Sequence, residues 1–234
     1  MKKLNVLFLA VIMVLSVSLS AQKTFSGKIK YKTTITGTDD PSVTSQELPE
    51  TEILVLGNQT KSYTVQQFGS MTKISNGDEK TITILFEFNG LGKFYMTITD
   101  SLLKEEQKFV SLKYEYLDET KQVAGYTCKK VKCTQTNLET DEETVVYVYV
   151  SNEISNTDLL NFDQFTGLVG FPMIIETPYS EEVPGAMVHL EVSEVDTSIK
   201  VKNIDFLLPS DAVYVKDEKE LMQKLGIEAP EEGK

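Results

Sequence analysis

Alternating apolar and polar residues dominate the chain from about residue 24 onward. The clearest case is the pair of segments 81–88 and 93–99, which are joined by Asn89-Gly90-Leu91-Gly92. Alternation with a period of two indicates strands with one buried face, and a short connection containing Asn-Gly predicts a hairpin. Similar patterns occur at residues 24–35, 52–56, 61–65, 71–74, 113–117, 126–135, 144–150, 171–176 and 187–195. About ten short strands with turn signals between them predict a mainly β fold, a sandwich or a barrel.

One face of the 81–99 hairpin is unusually rich in large apolar side chains. Its members are Ile84, Phe86, Phe88, Phe94, Met96 and Ile98. Ligand sites are concave and mostly apolar, and methionine adapts to varied shapes, so these six residues are the candidate lining of a cavity for an acyl chain. The alternative is an ordinary sheet core, since an apolar strand face is what any core needs.

Two segments carry helical signals. Asp217 and Glu220 fit a capping box, an apolar stripe follows, and Gly226 predicts the end of that helix. Residues 156–165 predict a second short helix, with four large apolar residues on one side. Either helix is a candidate cover for the apolar strand face.

The N-terminal segment predicts an export signal. Lys2 and Lys3 precede an apolar run of roughly a dozen residues, which is short of the ~20 needed to span a bilayer, and small residues lead to Ala21. We therefore expect a signal peptide at 1–21, one β-rich domain at 22–226 and a flexible acidic tail at 227–234. No cysteine lies near the cleavage point, so the expected product is periplasmic or secreted, soluble and without a membrane anchor.

The charge balance argues against nucleic acid and anionic membranes as partners. The formal net charge is −12, loss of Lys2 and Lys3 makes it −14, and the chain contains no arginine. Bidentate guanidinium contacts to phosphate are therefore excluded. A strongly acidic surface repels phosphate backbones and anionic lipid surfaces alike.

Catalytic and metal-binding motifs are not evident in the sequence. His189 is the single histidine, and its setting between Val188 and Leu190 predicts a half-buried strand residue. Acidic runs at 39–40, 139–143 and 181–182 lack the alternating ligand spacing of a calcium loop and are typical of solvated turns. The sequence thus predicts neither an enzyme nor a cofactor or metal site.

Two cysteines, Cys128 and Cys133, lie five residues apart in one predicted strand. Residues at that spacing in a regular strand point to opposite faces and are roughly 16 Å apart along it, whereas a disulfide needs Cα atoms within ~7 Å. Two small buried thiols are therefore expected. A bulge or a turn between the cysteines would still permit a disulfide.

Three stretches carry a family resemblance: residues 123–130 with a Gly-Tyr-x-Cys motif, the tyrosine-rich segment 144–154, and 167–176, which begins Gly-Leu-Val-Gly. Their order resembles the exported β-rich proteins grouped as DUF4412 and, more remotely, the GLPGLI proteins and the lipoprotein carriers of the LolA/LppX type. The resemblance implies an incomplete β-barrel: a strongly curved antiparallel sheet over an apolar cavity, covered by one or two short helices. Val169 departs from the GLPGLI pattern, which has proline there. Because the chain has no arginine, the carriers' arginine-held lid does not transfer.

Two functional hypotheses follow. The first is a periplasmic, non-catalytic binding or carrier protein that holds an apolar ligand, such as a lipid acyl chain, in a half-barrel cavity. The second is a cell-envelope protein-interaction module with a filled core, no small-molecule ligand and an exposed apolar patch, for example around residues 168–174.

Overall fold

The structure is a computed structural model and describes residues 24–44, 48, 50–66, 69–155, 165–180 and 183–227. The predicted export signal at 1–21, residues 156–164 of the helix predicted at 156–165, and residues 228–234 of the predicted tail lie outside the described residues. Within the described part of the chain, no helix is long and apolar enough to cross a membrane.

The described residues form a mainly β fold, with 57% of the residues in strands. The twelve strands are β1 (Ser26–Thr36), β2 (Thr51–Leu56), β3 (Gln59–Gln66), β4 (Gly69–Asn76), β5 (Thr81–Phe88), β6 (Gly92–Thr99), β7 (Val110–Val123), β8 (Tyr126–Asn137), β9 (Glu143–Ser151), β10 (Phe171–Pro178), β11 (Met187–Asp196) and β12 (Val213–Tyr214). They make one sheet in the order β12-β6-β5-β4-β3-β2-β1-β11-β10-β9-β8-β7. Its two edges do not meet, so the sheet is open, and the predicted incomplete barrel of antiparallel strands is confirmed.

Neighbouring strands are antiparallel throughout this order, except that β12 runs parallel to β6. β5 has the bounds that alternation predicts. β7 is much longer than the predicted 113–117, because a register shift between Tyr116 and Thr120 interrupts the alternation in mid-strand. The two-residue β12 is too short to leave a periodic signal.

The sheet bends strongly across the β7–β11 half. Three strands separate β7 from β11, which in a flat sheet would place them about 19 Å apart at the usual spacing. Nevertheless, Lys121 Nζ on β7 lies 3.6 Å from Glu191 Oε2 on β11. Extra residues in β7, β10 and β11, among them Met173 on β10 and Ser193 on β11, supply bends, since bulges kink a strand and increase its local twist.

The helices are short: α1 (Pro41–Thr44), α2 (Asp100–Glu106) and α3 (Glu218–Leu225), with 3₁₀ turns at Gln107–Phe109 and Asn203–Phe206. α3 begins as predicted, because an Asp217 side-chain oxygen accepts a 2.8 Å hydrogen bond from the Glu220 amide. The Glu220 carboxylate reaches back to the Lys216 amide at 3.0 Å, one residue earlier than an ideal capping box requires. Gly226 ends the helix in the left-handed conformation, at φ 71°.

The largest cluster of buried residues in the described part of the chain lies where β1 and β2 meet β8–β11, and it is called the dense core below. Tyr31, Phe171 and Met173 are completely buried there. The Tyr31 hydroxyl donates a hydrogen bond to the Pro172 carbonyl, which satisfies its polar atom inside the core. Burial raises the pKa of Tyr31 well above its ordinary value, so this hydroxyl remains a donor.

Both cysteines are buried free thiols, which confirms the first of the two expectations. β8 pairs with β9 in one unbroken register from Lys129 to Thr136, so Cys128 and Cys133 point to opposite faces of a regular strand. They accordingly belong to different core clusters.

Candidate functional site

The six candidate residues lie together on one face of the β5–β6 hairpin. Direct cross-strand pairing sets Ile84 against Met96 and Phe86 against Phe94, and Ile98 faces Ile82. The neighbouring Phe88 stands opposite Gly92, where an added Cβ would come into contact with the Phe94 ring at 3.7 Å. The hairpin therefore builds the continuous apolar face that alternation predicts, here called the aromatic face: Ile84, Phe86, Phe88, Phe94, Met96 and Ile98.

The rings of this face lie close to one another. Phe88 is 6.2 Å from Phe86 and 6.3 Å from Phe94, measured between ring centroids. These separations fall in the range of favourable aromatic pairs. The three rings form a broad apolar surface at the turn end of the hairpin.

The C-terminal segment covers the aromatic face. The Val215 amide donates to the Tyr95 carbonyl at 2.8 Å, and Lys93 pairs with Asp211 at 3.2 Å, so the segment is held against β6. From there α3 crosses the aromatic face. Val215 and Leu221 are buried in a cluster with Phe94. Four half-buried residues pack against this cluster: Phe86, Phe88 and Met96 of the aromatic face, and Leu225 of α3.

This cover is partial. Eight helical residues extend about 12 Å, whereas the eight residues of β5 extend about 27 Å. Of the six candidate residues only Phe94 is buried, with 7% of its surface exposed, and the other five are half-buried. A short amphipathic helix thus lies over a longer apolar strand face.

The same sheet face becomes polar towards β3. On β4, Met71 pairs with Phe86 and Lys73 pairs with Ile84. Beyond them, Ser62 on β3 pairs with Lys73. The aromatic face is therefore bordered on one side by cationic and hydroxyl groups.

A second concavity lies on the other half of the sheet. It is an open cleft of about 390 Å³ lined by Lys32, Thr34, Ala124, His189, Glu191, Val192 and Ser193. The two-residue turn that joins β7 to β8 forms one wall, and β1 and β11 form the floor. Ala124 in this turn has a positive φ of 48°, as type I′ hairpin turns require.

His189 in this cleft is held between two carboxylates. Its Nδ1 lies 3.1 Å from Glu176 Oε1 on β10, and its Nε2 lies 2.8 Å from Glu191 Oε2. Glu191 also pairs with Lys121. The prediction of a half-buried strand histidine is confirmed, with 19% of its side chain exposed. Both ring nitrogens of His189 are engaged by carboxylates. The group of Glu176, His189 and Glu191 is therefore suited to hydrogen bonding across the strands rather than to proton transfer to a substrate.

Sequence reasoning missed the two partners of His189. Glu176 lies thirteen residues away, and only the β10–β11 register places it opposite His189. Glu191 lies two residues away and hence on the same face, a signal that the alternation already contained.

The apolar patch suggested around residues 168–174 is wrong. Leu168 and residues 171–174 are buried, and Val169 alone stands exposed in that stretch. These residues are apolar because they fill the core against β8 and β9.

No protein-family model matches the sequence, and a search of curated proteins gave no match. Among solved structures, the fold is similar to PNGF-II in its P21 crystal form, with a TM-score of 0.56, 13% identity and 87% of this chain covered. PNGF-II in its C2 crystal form gives a TM-score of 0.50, 12% identity and 86% coverage. The chain spans about a third of the PNGF-II chains, 33% and 32% respectively. At this identity the similarity is one of fold alone.

Proposed function

We propose that this protein is a periplasmic, non-catalytic binding or carrier protein that holds a lipid acyl chain against the aromatic face. The observation that carries the proposal is the partial cover of that face. A broad surface of phenylalanine and methionine side chains lies under a helix less than half as long as the strand it crosses. Export by the N-terminal signal is part of the same proposal.

The chemistry of the face suits a flexible alkyl chain. Phe86, Phe88 and Met96 are half-buried and retain surface that a ligand would remove from water. At roughly 25 cal/mol per Å² of apolar area, burying such surface against a chain is favourable. The methionine side chain, which is flexible and polarizable, adjusts to chains of different length.

The border of the face suits a polar head group. Lys73 is the direct cross-strand neighbour of Ile84, and Ser62 follows on β3. A carboxylate or phosphate attached to the chain would meet this amino and hydroxyl border while the chain lies on Phe86 and Met96. The proposed ligand class is therefore an anionic amphiphile with one or more acyl chains.

Titration with a fluorescent fatty acid tests the proposal. Met96→Gln places a polar group in the middle of the aromatic face, and we expect it to weaken binding about tenfold, equivalent to ~1.4 kcal/mol. Leu91→Gln is the matched control, because Leu91 lies in the hairpin turn with 61% of its surface exposed. We expect the control to bind as the unmodified protein does. Absence of binding in the unmodified protein, or equal loss in both variants, would refute the proposal.

A second candidate function is an envelope protein-interaction module. The C-terminal segment carries four apolar side chains that are largely exposed: Ile204, Leu207, Val213 and Tyr214. A patch of this kind is typical of a protein-contact surface. Pull-down from an envelope extract with the unmodified protein and with an Ile204→Ser/Leu207→Ser variant would test it. Retention of the same proteins by both would count against this surface.

A further inference from the structure

The two edges of the sheet differ in what they offer to another strand. At one edge, β12 has two residues and continues directly into the segment that leads to α3. At the other edge, β7 has fourteen residues and, within the described part of the chain, pairs with β8 alone. An edge strand of this length presents backbone N–H and C=O groups that can extend the sheet onto another chain.

The regular part of β7 has a self-complementary sequence. Leu112-Lys113-Tyr114-Glu115-Tyr116 places a cation and an anion symmetrically about Tyr114, with apolar residues between and outside them. Lys113 and Glu115 are exposed and lie on the same sheet face. The opposite face carries Tyr114 and Tyr116, whose hydroxyls donate to the carbonyls of Thr166 and Val169.

We propose that two copies of this chain associate edge to edge through β7, antiparallel, with a twofold axis at Tyr114. In that register Lys113 stands opposite Glu115 of the partner subunit, and Glu115 stands opposite Lys113 of the partner subunit. Each subunit thus supplies the same patch, as a twofold interface requires. The inference goes beyond the proposed ligand site, which lies at the other end of the sheet.

The charges also select this register. A twofold axis at residue 113 would place Lys113 opposite Lys113 of the partner subunit. An axis at residue 115 would place Glu115 opposite Glu115 of the partner subunit. Like charges directly opposite each other on neighbouring strands are destabilising, whereas opposite charges contribute favourably. Within one subunit, Glu115 is the cross-strand neighbour of Lys132 on β8. In the dimer, Glu115 would therefore lie between Lys132 of its own subunit and Lys113 of the partner subunit.

The interface ends where the regular strand ends. After Tyr116 the register of β7 shifts against β8, and the strand bends towards β11. Because the twofold axis lies at Tyr114, regular pairing covers Leu112 to Tyr116 of each subunit. A contact of this size predicts a weak dimer that depends on protein concentration and on salt.

Sedimentation velocity over a concentration series tests the interface with charge variants. We expect the unmodified protein to dimerise at low salt, and Lys113→Glu and Glu115→Lys each to remain monomeric. The double variant Lys113→Glu/Glu115→Lys restores opposite charges and should dimerise again. An equimolar mixture of the two single variants should form a heterodimer, because each then supplies the charges that the other lacks. Lys129→Glu, an equal charge change at an exposed position on β8, is the control and should dimerise normally.

Three results would overturn the proposal. One is an unmodified protein that remains monomeric at the highest concentration it tolerates. Another is a dimer that both single variants retain, which would place the interface elsewhere. The third is a double variant that stays monomeric although its circular dichroism spectrum matches that of the unmodified protein.

Discussion

The two halves of the sheet bury their apolar side chains to different extents. Around β1 and β8–β11, large side chains such as Phe171, Met173 and Ile174 are completely buried. On the β5–β6 hairpin, an equally apolar face carries five half-buried residues out of six. The strand patterns are alike, so the difference lies in what covers each face.

The difference follows from where the sheet bends. Bulges in β7, β10 and β11 curl the β7–β11 half, so its strands help to bury one another's side chains. β2–β6 pair without a register shift, so this half depends on α3 for its cover. A short helix on a long face leaves adaptable apolar surface, which is why the proposed ligand site lies there rather than in the denser core.

The largest expected effect is in the dense half. Phe171→Ala should lower the free energy of unfolding by about 3–5 kcal/mol, because the cavity it leaves is enclosed on all sides. Urea unfolding followed by circular dichroism measures this change. A loss below about 1 kcal/mol would mean that this core is not the dense one.

The matched change in the other half should cost much less stability. Phe88→Ala removes a half-buried ring beside the hairpin turn, and we expect a loss of roughly 1–1.5 kcal/mol, since only part of the side chain is removed from water in the folded protein. The same variant should bind the fluorescent fatty acid more weakly. If Phe88→Ala and Phe171→Ala were equally destabilising, the contrast between the halves would be lost.

Weakening the helix cap should expose the aromatic face without disturbing the dense core. Asp217→Ala removes the side-chain acceptor for the Glu220 amide, which we expect to lower the stability of α3 by about 1 kcal/mol. We expect faster amide hydrogen exchange in α3, while the exchange of β9 and β10 stays unchanged. Asp217→Asn keeps an acceptor oxygen and is the control. Faster exchange throughout the chain would show that α3 is an integral part of one cooperative core.

The smallest effect concerns the thiols of the dense half. Burial raises the pKa of Cys128 to about 11 and also raises that of Cys133, so both should resist alkylation in native protein at pH 8 and react after unfolding. Since the raised pKa favours the neutral thiol in the folded state, the contribution of Cys128 to stability is complete below its unfolded value of ~8.5 and declines as the pH rises towards 11. Mass spectrometry after iodoacetamide treatment measures the reaction. Rapid native labelling of Cys128 would contradict the packing described.

Much of the fold was predictable because alternation is a local property. The 81–99 hairpin, with its six-residue apolar face, follows directly from the period of two. The cap at Asp217 and the end of α3 at Gly226 follow from local chemistry in the same way.

What the sequence did not reveal depends on distant partners. Nothing local indicates that Val213–Tyr214 joins the edge of β6, because a two-residue strand has no periodic signal. The full length of β7 was hidden by its bulge, which disturbs the alternation at Leu117. Predicting the two carboxylates around His189 would have required the register between β10 and β11. Predicting how much of the aromatic face is covered would have required the position of α3.

The most direct test of the proposed ligand site is mass spectrometry of solvent extracts from the protein purified out of its native host. We expect an acyl-containing amphiphile close to one per chain, strongly reduced in Met96→Gln and unchanged in Leu91→Gln. Protein that carries no lipid, and that acquires none when incubated with fatty acid, would contradict the account.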